Sequence, residues 1–304
     1  MKKNKLVSYC LFTYNQEKYI KSAVDAALSQ TYSPLEIIIS DDCSSDTTFE
    51  IIEEIVKNYS GPHKIILNKN EINLGLGGHF SKVCYTIAKG DYLIISAGDD
   101  ISKINHVEKA VINIEKFHEV KMIDFSAEII DENGSFVKKI QLDFDYKKNT
   151  LLDYLNLKKI ELFAPGRIID KELFHSFEPI YGKCPTEDSV MVLRSLLMGG
   201  SIRVNEQLVY YRKHQNNMSN INGLAKLSNL NIIAQYFKDI LYLFDKDVID
   251  ENLCELLLKR VNLESKLRFF KFSKRNYKIQ NITRPILTRL YIFYYKIKIN
   301  SRIN

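Results

Sequence analysis

The stretch LEIIISDDCSSDTT at residues 35–48 decides the fold class. Its first half, with three consecutive Ile residues, is typical of a strand buried on both faces of a parallel sheet. The Ser and Asp residues that follow are typical of a helix start, because their side chains accept hydrogen bonds from free backbone N–H groups. Helix capping does not account for the adjacent carboxylates Asp41 and Asp42, since buried charge is costly unless a ligand or metal compensates it. We therefore interpret Asp41 and Asp42 as part of a ligand-binding turn.

The same alternation of apolar strands and helical patterns extends over the first 130 residues. Strands are predicted at 6–12, 35–40, 63–67, 92–96 and 122–130, and helices at 17–29, 46–59, 78–88 and 105–118. This alternation predicts an α/β fold with a Rossmann-like, mostly parallel sheet covered on both faces. Further along, we predict a hairpin turn at 131–134, a helix at 187–198 with Thr186 as its N-cap, a strand at 202–211 and helical structure from about 222. Residues 141–185 have no pattern that we can decode.

Polar residues stand at the carboxyl ends of the predicted strands, where parallel sheets bind ligands. Thr13-Tyr14-Asn15 follows the first strand, and Gly98-Asp99-Asp100 follows the fourth. Carboxylate oxygens suit Mg²⁺ or Mn²⁺, which would bridge the two phosphates of a nucleotide diphosphate. A single acidic turn is common in any protein, but two at neighbouring strand ends indicate a metal-diphosphate site.

Composition and cysteine usage fit a globular protein with a full core. Hydrophobic residues make up 45% and charged residues 26% of the 304 residues. No apolar run reaches 18 residues, so no spanning helix is expected. We interpret the N-terminal apolar run as a first strand of a cytoplasmic protein and not as a signal peptide, because it lacks a small-residue cleavage site. The five dispersed cysteines argue against a disulfide framework and against a zinc site.

Charge is distributed unevenly along the chain. Residues 259–304 carry 13 lysines and arginines and one acid, a net charge of +12, whereas residues 1–258 have a net charge of −6. Basic residues interleaved with Leu, Ile and Tyr predict peripheral contact with an anionic membrane. The alternative is a helical bundle that packs on the rest of the protein with a solvated basic rim. Nucleic-acid binding is not expected, since no recognised motif supports it.

An ordered set of motifs resembles the family 2 glycosyltransferases of the GT-A fold over about residues 5–215. The matching motifs are Thr13-Tyr14-Asn15, Ser40-Asp41-Asp42-Cys43-Ser44-Ser45-Asp46-Thr47, Asn73-Leu74-Gly75, Ala88-Lys89-Gly90-Asp91-Tyr92, Gly98-Asp99-Asp100, Thr186-Glu187-Asp188 and the segment around Arg212 and His214. Each motif is modest alone, but the ordered set is specific. The resemblance implies a GT-A catalytic domain at 1–220, followed by a helical, basic C-terminal region at 221–304.

The resemblance also implies roles for individual residues. Thr13, Tyr14 and Asn15 would line the nucleotide, with Tyr14 stacked on the base and Asp41 or Asp42 hydrogen-bonded to it. Asp99, with Asp100 beside it, would hold the Mg²⁺ or Mn²⁺ ion. Asp188 would be the general base that deprotonates the acceptor hydroxyl. Arg212 and His214 would lie near the donor diphosphate.

Each of these interpretations has a structural alternative. Ala97 replaces the first aspartate of the D-x-D motif, which leaves the metal mainly on Asp99 and the diphosphate. Asp188 also suits the first turn of a helix, where acids interact favourably with the dipole. Arg212 and His214 would suit a solvated basic loop, and the glycines at 75–78 a flexible loop that enters a helix.

Taken with the acidic turns, the resemblance implies an inverting, metal-dependent glycosyltransferase. The donor would be a nucleotide-diphosphate sugar, with a UDP-sugar preferred, and the acceptor a lipid-linked oligosaccharide or polysaccharide at the inner face of the cell membrane. One alternative is a weakened sugar-nucleotide-binding or scaffolding protein, for which Ala97 is the argument. The other is a nucleotidyltransferase, which should carry a Gly-rich basic loop where this chain has Thr13-Tyr14-Asn15.

Overall fold

The computed structural model describes residues 4–215, 217 and 229–277, with side chains described up to residue 268. The strands are β1 (Val7–Thr13), β2 (Leu35–Asp41), β3 (Lys64–Lys69), β4 (Tyr92–Ala97), β5 (Ile101–Ser102), β6 (Met122–Ile130), β7 (Phe136–Lys139), β8 (Tyr146–Asn149), β9 (Ile168–Asp170) and β10 (Ser201–Arg212). The helices are α1 (Ile20–Leu28), α2 (Thr48–Lys57), α3 (Gly75–Ser81), α4 (His106–Lys116), α5 (Leu151–Leu155), α6 (Lys171–His175), α7 (Asp188–Leu197), α8 (Asn229–Asp245) and α9 (Glu251–Tyr277).

One sheet joins these strands in the order β3-β2-β1-β4-β9-β6-β10-β5, with β7 on β6 and β8 on β10. The first four strands in that order are mutually parallel, and β10 is parallel to β6. β9 is antiparallel to both of its neighbours, β4 and β6. The predicted α/β fold with a mostly parallel sheet is therefore confirmed, and its regular half is the part in which strands and helices alternate in sequence.

Helices cover both faces of the sheet, as the sequence predicts. Successive residues of β1 point to opposite faces, so Tyr9 and Leu11 pack in one hydrophobic cluster and Cys10 in the other. The first cluster includes residues of α1, α2 and α4. The second contains residues of α7, α8 and α9, among them Tyr236 and Val261. Both faces of the central strands are thus buried, which explains their nearly continuous apolar sequence.

The undecoded segment at 141–185 contains short elements that complete the sheet. β9 has three residues and fits between β4 and β6, with Ile168 opposite both Ile94 and Ile123. α5 begins at a capping box in which Thr150 and Asp153 exchange hydrogen bonds. Elements of three to five residues leave no periodic pattern, because they are shorter than the window that a period needs.

The C-terminal helices pack against the part of the chain that contains the sheet. α8 and α9 share the hydrophobic cluster of α7, which is the bundle arrangement considered as an alternative for this region. The predicted domain boundary at 220/221 lies outside the described residues, and so does most of the basic segment. Among the helices that the structure describes, none combines the length and the apolar character needed to cross a membrane.

Two local predictions need correction. Helix α7 begins at Asp188, so its N-cap is Glu187 and not Thr186. The Thr186 hydroxyl instead accepts the N–H of Asp188 at 3.3 Å. The helix predicted at 78–88 begins earlier, at Gly75, and changes after Ser81 to a π-helix, a form often found near functional sites. All five cysteines are free thiols, and four of them are buried.

Candidate active site

The polar turns meet at one edge of the sheet because the strands before them are parallel and in register. Thr13 on β1 lies opposite Asp41 on β2, and Phe12 lies opposite Ala97 on β4. The N–H of Asp42 donates to the Thr13 carbonyl at 3.0 Å, which joins the first turn to the second. The loops that follow these three strands therefore start side by side.

The Asp41-Asp42 turn is held by hydrogen bonds from the protein. The Asp41 carboxylate accepts the backbone N–H and the hydroxyl of Ser44. The Asp42 carboxylate accepts the backbone N–H groups of Leu74 and Gly75, at 2.9 Å each, where α3 begins. The assumption that a ligand or metal must compensate these buried charges is wrong, because backbone and hydroxyl donors already do so. Their contact with a nucleotide stays a prediction.

The Thr13-Tyr14-Asn15 turn presents an aromatic ring on a rigid support. Asn15 has a positive φ of 52°, a conformation that Asn tolerates, and its backbone N–H donates to the Ser44 hydroxyl at 2.8 Å. Its side-chain oxygen accepts the Ser45 N–H at 2.8 Å. Tyr14 is 48% exposed, whereas the Thr13 hydroxyl is buried and has no hydrogen-bond partner among the described residues. Tyr14 is thus available for stacking, and Asn15 holds its turn against the second one.

The segment after β10 folds back onto Asp99. His214 Nε2 lies 2.9 Å from Asp99 Oδ2, and the Asn217 side-chain N–H donates to the same oxygen at 3.4 Å. The His214 ring packs against Tyr19, with 4.8 Å between the ring centroids. The structure therefore brings Asp99 and His214 together, although they are 115 residues apart in the sequence.

Arg212 connects the segment after β10 to the Asp99-Asp100 turn and to the turn that contains Glu132. Its backbone N–H donates to Asp100 Oδ1, and its Nε donates to the Asp99 carbonyl, both at 3.0 Å. Its Nη1 donates to the Glu132 carbonyl at 3.1 Å, and the guanidinium lies 5.0 Å from the Tyr19 ring centroid. Burial, with Asp99 close by, raises the pKa of Asp100 well above its usual value. The buried guanidinium is thus directed at protein carbonyls and holds the Asp99 loop in place.

The donor set at Asp99 fits a divalent cation that is shared with a diphosphate. No group of three or more His, Cys, Asp or Glu side chains in the described part of the chain is arranged as a metal site. Mg²⁺ is often held by one or two carboxylates and completed by substrate phosphates, so a full protein cage is not required. Asp99 has an oxygen beside His214 and a partly exposed side chain. The Asp100 carboxylate is buried against Arg212, which makes Asp99 the more available ligand of the predicted pair.

Gly98 has a packing role that its sequence position does not indicate. A Cβ atom built on Gly98 would lie 2.2 Å from Gln16 Oε1 and 3.1 Å from the Thr13 Cβ. Glycine therefore allows the turn after β4 to approach the turn after β1. The contact that requires glycine at this position is therefore one between two turns of the protein.

Asp188 lies at the first position of α7 beside a buried guanidinium. Its side chain is 43% exposed, and its Oδ1 lies 3.5 Å from Nη1 of Arg167. Arg167 precedes β9, and its carbonyl accepts the N–H of Ile95 on β4, two residues before Ala97. Enclosure by protein raises the pKa of Asp188, and the positive charge of Arg167 opposes this shift. Asp188 is thus connected to strand β4 through Arg167.

A second acid adjoins Asp188. Burial, together with the negative charge of Asp188, raises the pKa of Glu187 to about 8. Glu187 Oε2 is buried without a hydrogen-bond partner among the described residues. Two neighbouring acids that interact this strongly titrate as a pair. At neutral pH, Glu187 is the member that favours the proton.

Sequence reasoning missed three residues of this region. Arg167 and Asp124 form a buried bidentate pair, with N–O distances of 2.7 and 3.0 Å, and Asn217 contacts Asp99. The available signal was a charged residue inside or beside an apolar strand, as in MIDF at 122–125 and GRII at 166–169. Such a charge must be paired when buried, but sequence alone does not name the partner.

Comparison with known proteins places the chain in a family. The model of the glycosyl transferase family 2 matches residues 8–175, more than half of the chain. The protein belongs to glycosyl transferase family 2. This glycosyltransferase is 28% identical over 312 residues to an uncharacterized glycosyltransferase of Haemophilus influenzae, with 98% of this chain and 90% of the relative covered.

Two solved structures show the same fold. TarS 1–349 of S. aureus, crystallised with UDP-GlcNAc, superposes with a TM-score of 0.64 at 19% identity, covering 92% of this chain and 77% of TarS. GalNAc-T7, crystallised with UDP, GalNAc and Mn²⁺, superposes with a TM-score of 0.58 at 13% identity, covering 86% and 55%. The predicted GT-A fold is confirmed. The family match contains the three polar turns of the sheet edge and ends before Asp188 and His214.

Proposed function

We propose that this family 2 glycosyltransferase transfers a sugar with inversion from a nucleotide-diphosphate donor, preferably a UDP-sugar, to a hydroxyl of a lipid-linked oligosaccharide or polysaccharide. The observation that carries the proposal is Asp188, a half-exposed carboxylate 3.5 Å from the buried Arg167, whose backbone carbonyl accepts the N–H of Ile95 near the end of β4. A base of this kind needs to be ionised and reachable by a second substrate.

The proposed reaction is a single displacement. An acceptor oxygen attacks the anomeric carbon while Asp188 takes the hydroxyl proton, and the bond between that carbon and the diphosphate oxygen breaks. The electron pair of the broken bond leaves with the diphosphate. Attack from the face opposite the leaving group inverts the anomeric carbon, so one base is sufficient and no covalent sugar-enzyme intermediate forms.

The donor would lie along the turns at the sheet edge. Tyr14 is exposed for stacking on the base, and Asp41 and Asp42 line the neighbouring turn. Asp99 and His214 would hold a Mg²⁺ or Mn²⁺ ion, which when bound neutralises charge on the diphosphate. GalNAc-T7, which shares the fold, was crystallised with Mn²⁺ and UDP. Arg212 contributes by keeping the Asp99 loop in its position.

A donor screen tests the proposal directly. The melting temperature is measured with UDP-, GDP-, ADP- and CMP-linked sugars, each with Mg²⁺, with Mn²⁺ and with EDTA. We expect a UDP-sugar to raise the melting temperature only when a divalent cation is present, and we expect Asp99→Ala to abolish that rise. Release of UDP is then measured with glycan and lipid-linked acceptors.

The possible outcomes separate the candidate functions. Donor binding with acceptor-dependent release of UDP supports the transferase. Donor binding without turnover on any acceptor class would favour a weakened sugar-nucleotide-binding protein, for which Ala97 remains the argument. A cation-independent rise would contradict the metal at Asp99 but not the transfer.

We also propose that the basic segment 259–304 contacts anionic lipid at the inner face of the cell membrane, where a lipid-linked acceptor would be found. Three of the described basic residues at its start form ion pairs within α9: Lys259 with Glu255, and Arg260 and Arg268 with Glu264. Residues 269–304 carry nine lysines and arginines and no acid, and they lie almost wholly outside the described side chains.

Vesicle flotation tests the membrane proposal. The full chain should float with vesicles that contain phosphatidylglycerol and should stay behind with pure phosphatidylcholine vesicles. Deletion of residues 278–304 should reduce flotation with the anionic vesicles, because six of the 13 lysines and arginines of the segment are removed. Unchanged flotation of the truncated chain would contradict the proposal.

A further inference from the structure

Two nitrogens of the Arg167 guanidinium are hydrogen-bonded to protein, whereas the third has no hydrogen-bond partner among the described residues. The side chain is 1% exposed, and its Nε and Nη2 donate to the two oxygens of Asp124 at 2.7 and 3.0 Å. Its Nη1 is buried without a hydrogen-bond partner among the described residues, and it lies 3.5 Å from Asp188 Oδ1. Buried N–H groups are nearly always hydrogen-bonded, so this one calls for an explanation.

A second buried arginine shows that burial alone does not leave a guanidinium nitrogen without a hydrogen-bond partner. Arg194 forms a similar bidentate pair, with Nε and Nη2 donating to Asp239 at 2.7 Å each. Its Nη1 donates to the Tyr85 hydroxyl at 2.6 Å, and its Nη2 also donates to the Glu178 carbonyl. The same fold thus satisfies one buried guanidinium at every nitrogen and leaves the Nη1 of the other facing Asp188.

We propose that Arg167 is a positioning residue for the base, which directs Nη1 at the Asp188 carboxylate so that Asp188 is held ionised and oriented toward the acceptor. The inference rests on the proposed function, in which Asp188 is the base. Asp124 orients the guanidinium through two bonds, and its charge balances that of Arg167 within the sheet. Asp124, Arg167 and Asp188 therefore act in series from strand β6 to helix α7.

The charges around Asp188 support this assignment. The charged groups that act on it are Arg167 beside β9, Asp124 on β6 and Glu187 at the cap of α7. Arg167 is the positive group among them, and its Nη1 lies 3.5 Å from Asp188 Oδ1. Since the carboxyls of Glu187 and Asp188 compete for a proton, Arg167 favours the charge on Asp188 and leaves the proton on Glu187.

The test compares two double variants of the same chemistry. Arg167→Gln with Asp124→Asn removes both charges of the first buried pair and keeps groups that can hydrogen-bond each other. Arg194→Gln with Asp239→Asn makes the same change in the second pair and is the matched control. For each variant we measure the melting temperature, the donor-induced rise in melting temperature and the pH dependence of kcat/KM.

We expect the first double variant to lower kcat about 10-fold or more at pH 7, with the donor-induced rise unchanged. Without Arg167 the base protonates at higher pH, so the acidic limb moves up and the ratio of kcat/KM at pH 6 to that at pH 8 falls about fivefold. The control should lose thermal stability and keep the pH profile of the parent. A first double variant with the parent's pH profile would overturn the inference.

Two further variants keep the outcome decisive. If the first double variant does not fold, Arg167→Lys replaces it, since lysine retains the charge but cannot span Asp124 and Asp188 together. Its acidic limb should move in the same direction, and an unmoved limb would overturn the inference. Asp188→Asn distinguishes the proposed base from the positioning role of Arg167. An active Asp188→Asn enzyme refutes the proposed base itself. An inactive one, together with an unchanged Arg167 profile, refutes only the positioning role.

Discussion

The Asp41-Asp42 turn and the Glu187-Asp188 turn are both pairs of adjacent acids, but they differ in how far the protein satisfies them. Both oxygens of Asp42 accept hydrogen bonds, from Asn70, Leu74 and Gly75. At the other turn, Glu187 Oε2 and the facing Nη1 of Arg167 have no hydrogen-bond partner among the described residues. The first pair builds the loops of the site, whereas the second retains the capacity to exchange a proton.

The largest expected effect is a loss of activity on substitution in the Glu187-Asp188 turn. Asp188→Asn should lower kcat by about 10²- to 10⁴-fold, the usual contribution of a general base. The melting temperature and its rise on donor binding should stay near those of the parent, because asparagine is nearly isosteric with aspartate and the side chain at position 188 is half-exposed. The measurement is steady-state kinetics with the donor found in the screen.

Glu187→Gln is the matched change at the neighbouring acid. It should lower kcat by about tenfold at most, since Glu187 carries the proton at neutral pH in the proposed arrangement. A loss at Glu187→Gln equal to that at Asp188→Asn would mean that the two acids act as one unit.

A substitution in the Asp41-Asp42 turn should lower the stability of the fold. Asp42→Asn removes the charge that accepts the Gly75 N–H and should lower the free energy of unfolding by about 3 kcal/mol, more than a hundredfold in the folding equilibrium. Urea unfolding measures the change. Asp25→Asn, at an exposed pair with Lys21, is the control and should change the free energy by less than about 1 kcal/mol. Equal, small effects of both substitutions would erase the distinction between the turns.

The two turns are physically connected, and a glycine tests the connection. A Cβ atom on Gly77 would lie 2.4 Å from the carbonyl oxygen of Cys184, in the segment that leads to Asp188. Gly77→Ala should therefore displace that segment and lower kcat by about 10-fold. Gly182→Ala is the control, because a Cβ at Gly182 meets no heavy atom within 4 Å. Full activity of Gly77→Ala would show that the segment adjusts without moving the base.

The pH dependence of stability reports on the Glu187 carboxyl. The pKa of Glu187 is raised to about 8 in the folded protein, so the folded state binds more protons than the unfolded state between the ordinary glutamate value and pH 8. Glu187 thus contributes stability that is present at low pH and is lost as pH rises toward 8. Relative to the parent, Glu187→Gln should gain about 3 kcal/mol between pH 5 and pH 8, because glutamine does not titrate, and urea unfolding at the two pH values measures the gain. A constant difference would contradict the raised pKa.

The regular half of the fold was predictable because its signals are local. Each predicted strand and helix of the first 130 residues lies within a few residues of an observed element. The polar strand ends were visible for the same reason. Strand β9 was missed because it is three residues long and owes its existence to its pairing with β4 and β6. The interpretation of the glycines at 75–78 as a flexible loop was wrong, since they begin α3 and Gly77 packs closely on Tyr181 and Cys184.

By itself, the sequence determined the alternation of strands and helices, the parallel sheet, the edge at which polar turns gather and the family to which the motifs belong. Those properties follow from apolar periodicity and from residues adjacent in the chain. Only the tertiary structure decided which acidic side chains have hydrogen-bond donors. The donors of Asp42 lie 28 to 33 residues away, and Arg167 pairs with Asp124 43 residues away while facing Asp188. Pairing of buried charge depends on distances of a few ångströms, and those are set by how the strands and helices pack.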